Sequence, residues 1–171
     1  LFPDTYCFAR AADAEQIVAA MLERFQVTCW KAYQDTPPAD GRTLHQVLTL
    51  ASLVEGEARI DAERPIIAGV YQNRLRKGMR LQCDATVLYA QQKRLSRVLY
   101  RDLEYDSRYN TYRYAGLPPG PINNPGLASF KAALQPAEVP YLYYVAQRDG
   151  SHIFSRTLSE HQAAIRRVRG K

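Results

Sequence analysis

Apolar side chains recur at a period of about 3.6 residues in several stretches of the chain, each bracketed by helix start or stop signals. Asp13-Ala14-Glu15-Gln16 offers an N-cap with a polar partner three residues on, and predicts a helix through Ile17, Val18, Met21, Leu22 and Phe25. Thr36-Pro37-Pro38-Ala39-Asp40-Gly41 then reads as a linker or exposed loop. A helix from Thr43 to Glu57 follows, with Thr43 as N-cap. Pro65 near a first turn and Gly78 past an end bracket a third helix, with Ile66, Ile67, Val70, Tyr71 and Leu75 as its stripe. Met79 to Ala90 mixes an extended start with a short turn of helix. Asn124-Pro125 predicts an N-cap with proline at N1 for a helix through Leu134. Tyr141 to Ala146 and Ser151 to Phe154 flank Arg148-Asp149-Gly150 in the pattern of a β-hairpin. Thr157-Leu158-Ser159-Glu160 is a capping box opening a basic terminal helix. The predicted fold class is α+β: a mainly helical domain with a C-terminal β-hairpin and irregular loops rich in Tyr, Pro and Gly.

One polar residue interrupts the apolar pattern. At about 100° per residue from Leu44, the positions Leu44, Val47, Leu48, Leu50, Ala51 and Val54 fall in one arc, and Glu55 falls inside it. Glu57 falls on the margin of that arc, roughly 160° from Glu55. A carboxylate buried without a partner is costly and tends to become neutral. A carboxyl held protonated near neutral pH is what a general acid needs. The same Glu55 could instead end its helix in water or pair with Arg59 or Arg64.

Composition narrows the class. The 171 residues are 46% hydrophobic and 23% charged, as in an ordinary globular domain. No run approaches the roughly 18 apolar residues of a membrane span. The chain opens at Leu1-Phe2-Pro3-Asp4 without an initiator Met, and is expected to be a piece of a longer protein. The formal charge is +6, partly from Arg166-Arg167-Val168-Arg169-Gly170-Lys171. Such a tail suits either an anionic partner or the negative end of a helix dipole. No zinc-finger spacing or aromatic RNA-binding motif supports nucleic acid. Cys7, Cys29 and Cys83 form no CxxC, and an odd count argues against a disulfide framework. Either a Cys7–Cys29 bridge or buried free thiols would fit.

Candidate chemistry gathers around three further segments. Asp84, in Arg80-Leu81-Gln82-Cys83-Asp84-Ala85-Thr86, is either a second polar group beside Glu55 or the cap of a short helix. Tyr105 to Tyr112 alternates rings with hydrogen-bonding side chains. Tyr rings can lie against sugar faces while Asn and Thr read hydroxyl or acetamido groups, although such a loop can equally be a packing element. Of the three histidines, His45 and His161 fall on helices and only His152, on the hairpin, is a candidate site residue. Nucleophile-elbow and phosphate-loop motifs are absent, so metal and nucleotide cofactors have no support.

These blocks, in this order, resemble the endolytic murein transglycosylases of the YceG-like family. The resemblance rests on Leu1-Phe2-Pro3-Asp4-Thr5-Tyr6, Leu50-Ala51-Ser52-Leu53-Val54-Glu55-Gly56-Glu57, Glu63-Arg64-Pro65 and Asn73 to Gln82. It rests most strongly on Tyr109-Asn110-Thr111-Tyr112, Gly116 to Ile122, and Tyr141 to Ala146 with His152-Ile153-Phe154. It departs from the family pattern at Gly56, Cys83 and Ala85. The resemblance implies an enzyme of the bacterial inner membrane with its catalytic domain facing the periplasm. Its substrate would be the MurNAc-β-1,4-GlcNAc bond of nascent peptidoglycan, and its product a 1,6-anhydro-MurNAc end made without water by one Glu acting as acid and then base. That Glu is expected to be Glu55. Gln82, Asp84, Tyr109, Asn110, Thr111, Tyr112 and His152 are expected to line the glycan groove. Residues 1–36 are expected to be the trailing part of a LysM-like or connecting region, and 37–171 the catalytic domain. Peptidoglycan synthases are expected partners, with a membrane anchor outside this chain. A non-catalytic peptidoglycan-binding scaffold is the rival reading.

Overall fold

The computed structural model describes residues 1–92 and 98–170; Lys171 of the basic tail lies outside the described residues. Local capping boxes set three of the helix starts. Asp13 and Thr43 each accept the N3 amide while Gln16 and Gln46 reach back, opening α1 (Ala14–Phe25) and α3 (Leu44–Glu57). A π-helical turn, Gln26–Trp30, carries α1 into α2 (Lys31–Asp35). Pro65 lies in the first turn of α4 (Arg64–Arg76), and Gly78, at φ +64°, closes its end. Cys83 rather than Asp84 is the N-cap of α5 (Asp84–Gln91).

The start of α6 (Leu127–Leu134) differs from expectation, because Gly126 and not Asn124 is the N-cap. The Gly126 amide donates to Glu55 Oε2 at 3.2 Å, so a distant carboxylate sits at this helix start. Strands β1 (Tyr143–Ala146) and β2 (His152–Ser155) pair antiparallel, with Tyr144 opposite Phe154 and Ala146 opposite His152. Thr157 and Glu160 form the capping box of α7 (Leu158–Arg169), which packs on the hairpin. The fold class is therefore the expected one, helical with a C-terminal hairpin.

α3 is the centre of the packing. From Val47 to Val54 every residue but Leu48 is buried, on all sides of the helix, against α4, α5 and α6. Leu50, Leu53, Ile67, Tyr71 and Phe130 are fully enclosed, each contributing about 1.5–3 kcal/mol of transfer free energy. Phe2 and Cys29, from the first 36 residues, belong to this same core. The stripe of α1 is only partly covered, with Val18 and Leu22 exposed. All three cysteines are free, with Cys29 and Cys83 buried and Cys7 exposed. Burial pushes the Cys29 thiol up to about 11.

α4 ties the hairpin to this centre. Gly69 lets the backbone at Ala137 and Val139 pass directly over the helix. The Ala137 amide donates to Pro65 O, and Asn73 Nδ2 donates to the carbonyls of Val139 and Tyr141. Arg74 continues the series with Nε on Leu142 O at 2.7 Å. The segment that feeds β1 is thus hydrogen-bonded along its length to one helix.

Candidate active site

α3 stops at Glu57, where the next residue, Ala58, turns extended. The Glu57 side chain is thereby released toward the hairpin. The face of the hairpin that meets it carries Tyr144, Ala146, His152 and Phe154, because alternate residues of a strand share a face. Between them lies a cleft of about 340 Å³ whose lining includes Glu57, Gln82, Asp84, Tyr112, Tyr144 and His152. Arg74, His161 and Arg169 close its far side.

Every group around Glu57 is held. The Cys83 thiol donates to Glu57 Oε1 at 3.2 Å. The hydroxyls of Tyr71 and Tyr144 bond each other at 2.8 Å, and the Tyr144 hydroxyl also faces Glu57. Burial raises the Glu57 pKa above its ordinary value. Cys83 opposes this, the like charge of Asp84 adds to it, and Tyr144 and His152 oppose it. Burial also pushes the phenols of Tyr71 and Tyr144 and the thiol of Cys83 well up, so these neighbours stay neutral donors. Glu57 is the carboxyl of the cleft that burial makes the weaker acid.

Glu55 is placed otherwise. Its Oε2 accepts from Arg64 Nη1 at 3.2 Å and from the Gly126 amide at 3.2 Å, and it is absent from the cleft lining. Arg64 in turn donates to Asp61 and Ser129. Glu55 is thus engaged away from the cleft, by a guanidinium and a helix start. Because α3 is buried all round, no single arc of its sequence marks which carboxylate reaches the cleft.

The remaining expected residues separate into three groups. Gln82, Asp84, Tyr112 and His152 do come together with Glu57. Gln82 stands at φ +50°, a left-handed conformation unusual for a side-chain-bearing residue, between the buried Leu81 and Cys83. Asp84 Oδ1 accepts from the Tyr112 hydroxyl at 2.5 Å. His152 is gripped by Glu63, whose Oε1 accepts the His152 amide at 3.0 Å and whose Oε2 lies 2.7 Å from Nδ1.

Asn110 and Thr111 are corrections, since both are enclosed and cannot reach a ligand. Asn110 Nδ2 donates to the carbonyls of Leu103 and Tyr105, shaping the loop. Thr111 Oγ1 accepts the Cys83 amide and bonds Thr86 Oγ1, pinning the start of α5 beside the cleft. Tyr109 lies in a second groove, packed against Tyr89 with ring centroids 4.8 Å apart. Sequence reasoning missed Glu57, Cys83, Tyr144 and Glu63 as site residues. The signal for the first was its place at the helix end after Gly56. The signal for Tyr144 was its alternation with Tyr143 along the strand.

Comparison with known proteins agrees with this architecture. The sequence model of the YceG-like family matches residues 1–167. A Bacillus subtilis (strain 168) protein named endolytic murein transglycosylase is 46% identical over 165 residues, covering 96% of this chain and 46% of the relative. A protein of the same name from Streptococcus pneumoniae (strain D39) is 33% identical, covering 96% of this chain and 31% of its own length. The chain thus spans less than half the length of these curated relatives. The crystal structure of a yceG-like protein from Listeria monocytogenes superposes with a TM-score of 0.89 at 45% identity, covering 95% of this chain and 53% of that one. With the family pattern running through nearly all its residues, this chain belongs to the YceG-like family.

Proposed function

We propose that this domain is the catalytic part of an endolytic murein transglycosylase, and that Glu57 is its acid and base. The observation that carries the reading is the Glu57 carboxyl on the cleft wall, buried enough to favour its protonated form. The bond broken is the β-1,4 link from C1 of N-acetylmuramic acid to the oxygen of N-acetylglucosamine. Glu57 gives its proton to that departing oxygen. The carboxylate left behind takes the proton of the muramyl 6-hydroxyl as that oxygen bonds to C1. The product is a 1,6-anhydromuramyl end, no water is consumed, and Glu57 returns protonated. One carboxyl suffices because the second nucleophile belongs to the substrate.

Asp84, held by Tyr112, adds negative charge near the developing oxocarbenium character at C1. Gln82 and His152 present polar groups to the sugars along the same wall. Location at the inner membrane facing the periplasm, an anchor outside this chain and contact with peptidoglycan synthases belong to the same proposal. They follow from the need of such an enzyme to meet nascent strands.

The test compares Glu57→Gln with Glu55→Gln on purified peptidoglycan, with mass spectrometry of the digests. Glu57→Gln is expected to abolish anhydro ends, while Glu55→Gln keeps them at a reduced melting temperature. Parental cleavage by Glu57→Gln would overturn the assignment. Reducing ends in place of anhydro ends would overturn the chemistry and leave a hydrolase.

A further inference from the structure

The second groove, of about 970 Å³, is bounded by α5 on one side and by Ser107, Tyr109, Ile122 and Asn123 on the other. Consecutive residues of α5 line the cleft and the groove. Asp84 lines the cleft and Ala85, the next residue, lines the groove. Gly56, which precedes Glu57, lies at the junction, its Cβ position 3.1 Å from Ala85 Cβ and 3.7 Å from Asn123 Nδ2.

Its chemistry is specific. Tyr89 is 44% exposed and its ring is tilted 50° against Tyr109, so the pair forms an aromatic wall of the groove. Asn123 Nδ2 is spent on Ser52 O at 2.8 Å, which fixes the amide and leaves Oδ1 as a preset acceptor. Among the described residues, none that lines the groove is charged. A pyranose carrying an acetamido group matches this set, with an apolar C–H face for the rings and N–H or O–H donors for the amide oxygen. An acidic or basic peptide finds no counter-charge among the described lining residues.

We infer that this groove is a glycan subsite holding a neutral N-acetyl sugar of the strand on one side of the bond that Glu57 cuts, with Tyr89 and Tyr109 as its stacking platform. The inference rests on the transglycosylase reading for its position relative to the cut, but binding can be measured without catalysis. It also gives the chain a structural reason for acting within strands, since a cut inside a polymer needs sugars gripped beyond the reacting pair.

The test uses the silent Glu57→Gln protein and a soluble tetramer of N-acetylglucosamine as probe, followed by calorimetry. Adding Tyr89→Ala is expected to weaken binding about tenfold, about 1.4 kcal/mol, while Tyr89→Phe, which keeps the ring, restores it. Tyr89 is exposed and outside the core cluster, so an unchanged melting curve confirms that the double variant is folded. In the cleaving protein, Tyr89→Ala should lengthen the mean product and place its loss on KM. Equal tetramer affinity with and without the Tyr89 ring would overturn the subsite, whatever the outcome for cleavage. Ring-dependent tetramer binding, together with a wild-type protein that makes no anhydro ends, would keep the subsite and refute the enzyme.

Discussion

Gly69 lies within α4, where alanine ordinarily stabilises a helix by about 1 kcal/mol relative to glycine. Here the added methyl would stand 2.3 Å from the carbonyl oxygen of Ala137 and 2.9 Å from Val139 Cγ2. Carbon–oxygen contacts settle at about 3.3–3.6 Å, so roughly 1 Å of new separation must be found. The crossing segment cannot yield it freely, because Pro65 and Asn73 hold Ala137, Val139 and Tyr141 by hydrogen bonds. Overpacking of this kind costs about 1–3 kcal/mol, and here two or more of these bonds must stretch as well. After the propensity gain, Gly69→Ala should destabilise by about 1–3 kcal/mol, a fall of roughly 3–10 °C in Tm for a chain of this size. Differential scanning calorimetry measures the shift. Hydrogen exchange at the Ala137 amide should quicken in parallel. A variant that melts at or above the parent temperature would refute the close crossing and, with it, this account of how the hairpin is held.

Two further expectations concern Glu57 and pH. The folded protein holds the Glu57 proton more tightly than the unfolded chain, so the wild type loses stability as pH rises from the ordinary Glu value of 4.5 through the raised folded value. Glu57→Gln should therefore gain in Tm over wild type above that window and match it below, and a constant offset at every pH would contradict the burial argument. Cys83→Ser replaces a weak S–H donor on Oε1 with a stronger O–H donor, which favours the carboxylate. The alkaline limb of the rate profile, where the acid form is lost, should move to lower pH. An unmoved limb would mean that the thiol contact has no influence on the proton.

What the sequence disclosed was what is decided locally. The capping residues Asp13, Thr43 and Thr157 announced their helices because an N-cap needs only three following residues. The hairpin was legible from strand alternation around Asp149-Gly150. Gln82, Asp84, Tyr112 and His152, singled out through the family resemblance, line one cleft. The rest depended on pairings across the chain. Glu55 finds Gly126 71 residues away, and Glu63 finds His152 89 residues away. No periodicity encodes either choice. Asn110 and Thr111 misled for a related reason: a polar side chain in a Tyr-rich loop reads the same whether it faces sugar or its own backbone carbonyls.

Arg74 is almost wholly enclosed, with Nε on Leu142 O and Nη1 on Leu81 O at 2.8 Å. Leu142 leads into the hairpin, and Leu81 leads toward α5. The two walls of the cleft are therefore pegged to opposite edges of one planar cation, whose span is fixed by covalent bonds. Widening the slot at its base would strand a buried guanidinium without acceptors, so its width there is fixed. A lysine could match the charge but not the fork, and would leave the gauge of the slot unset.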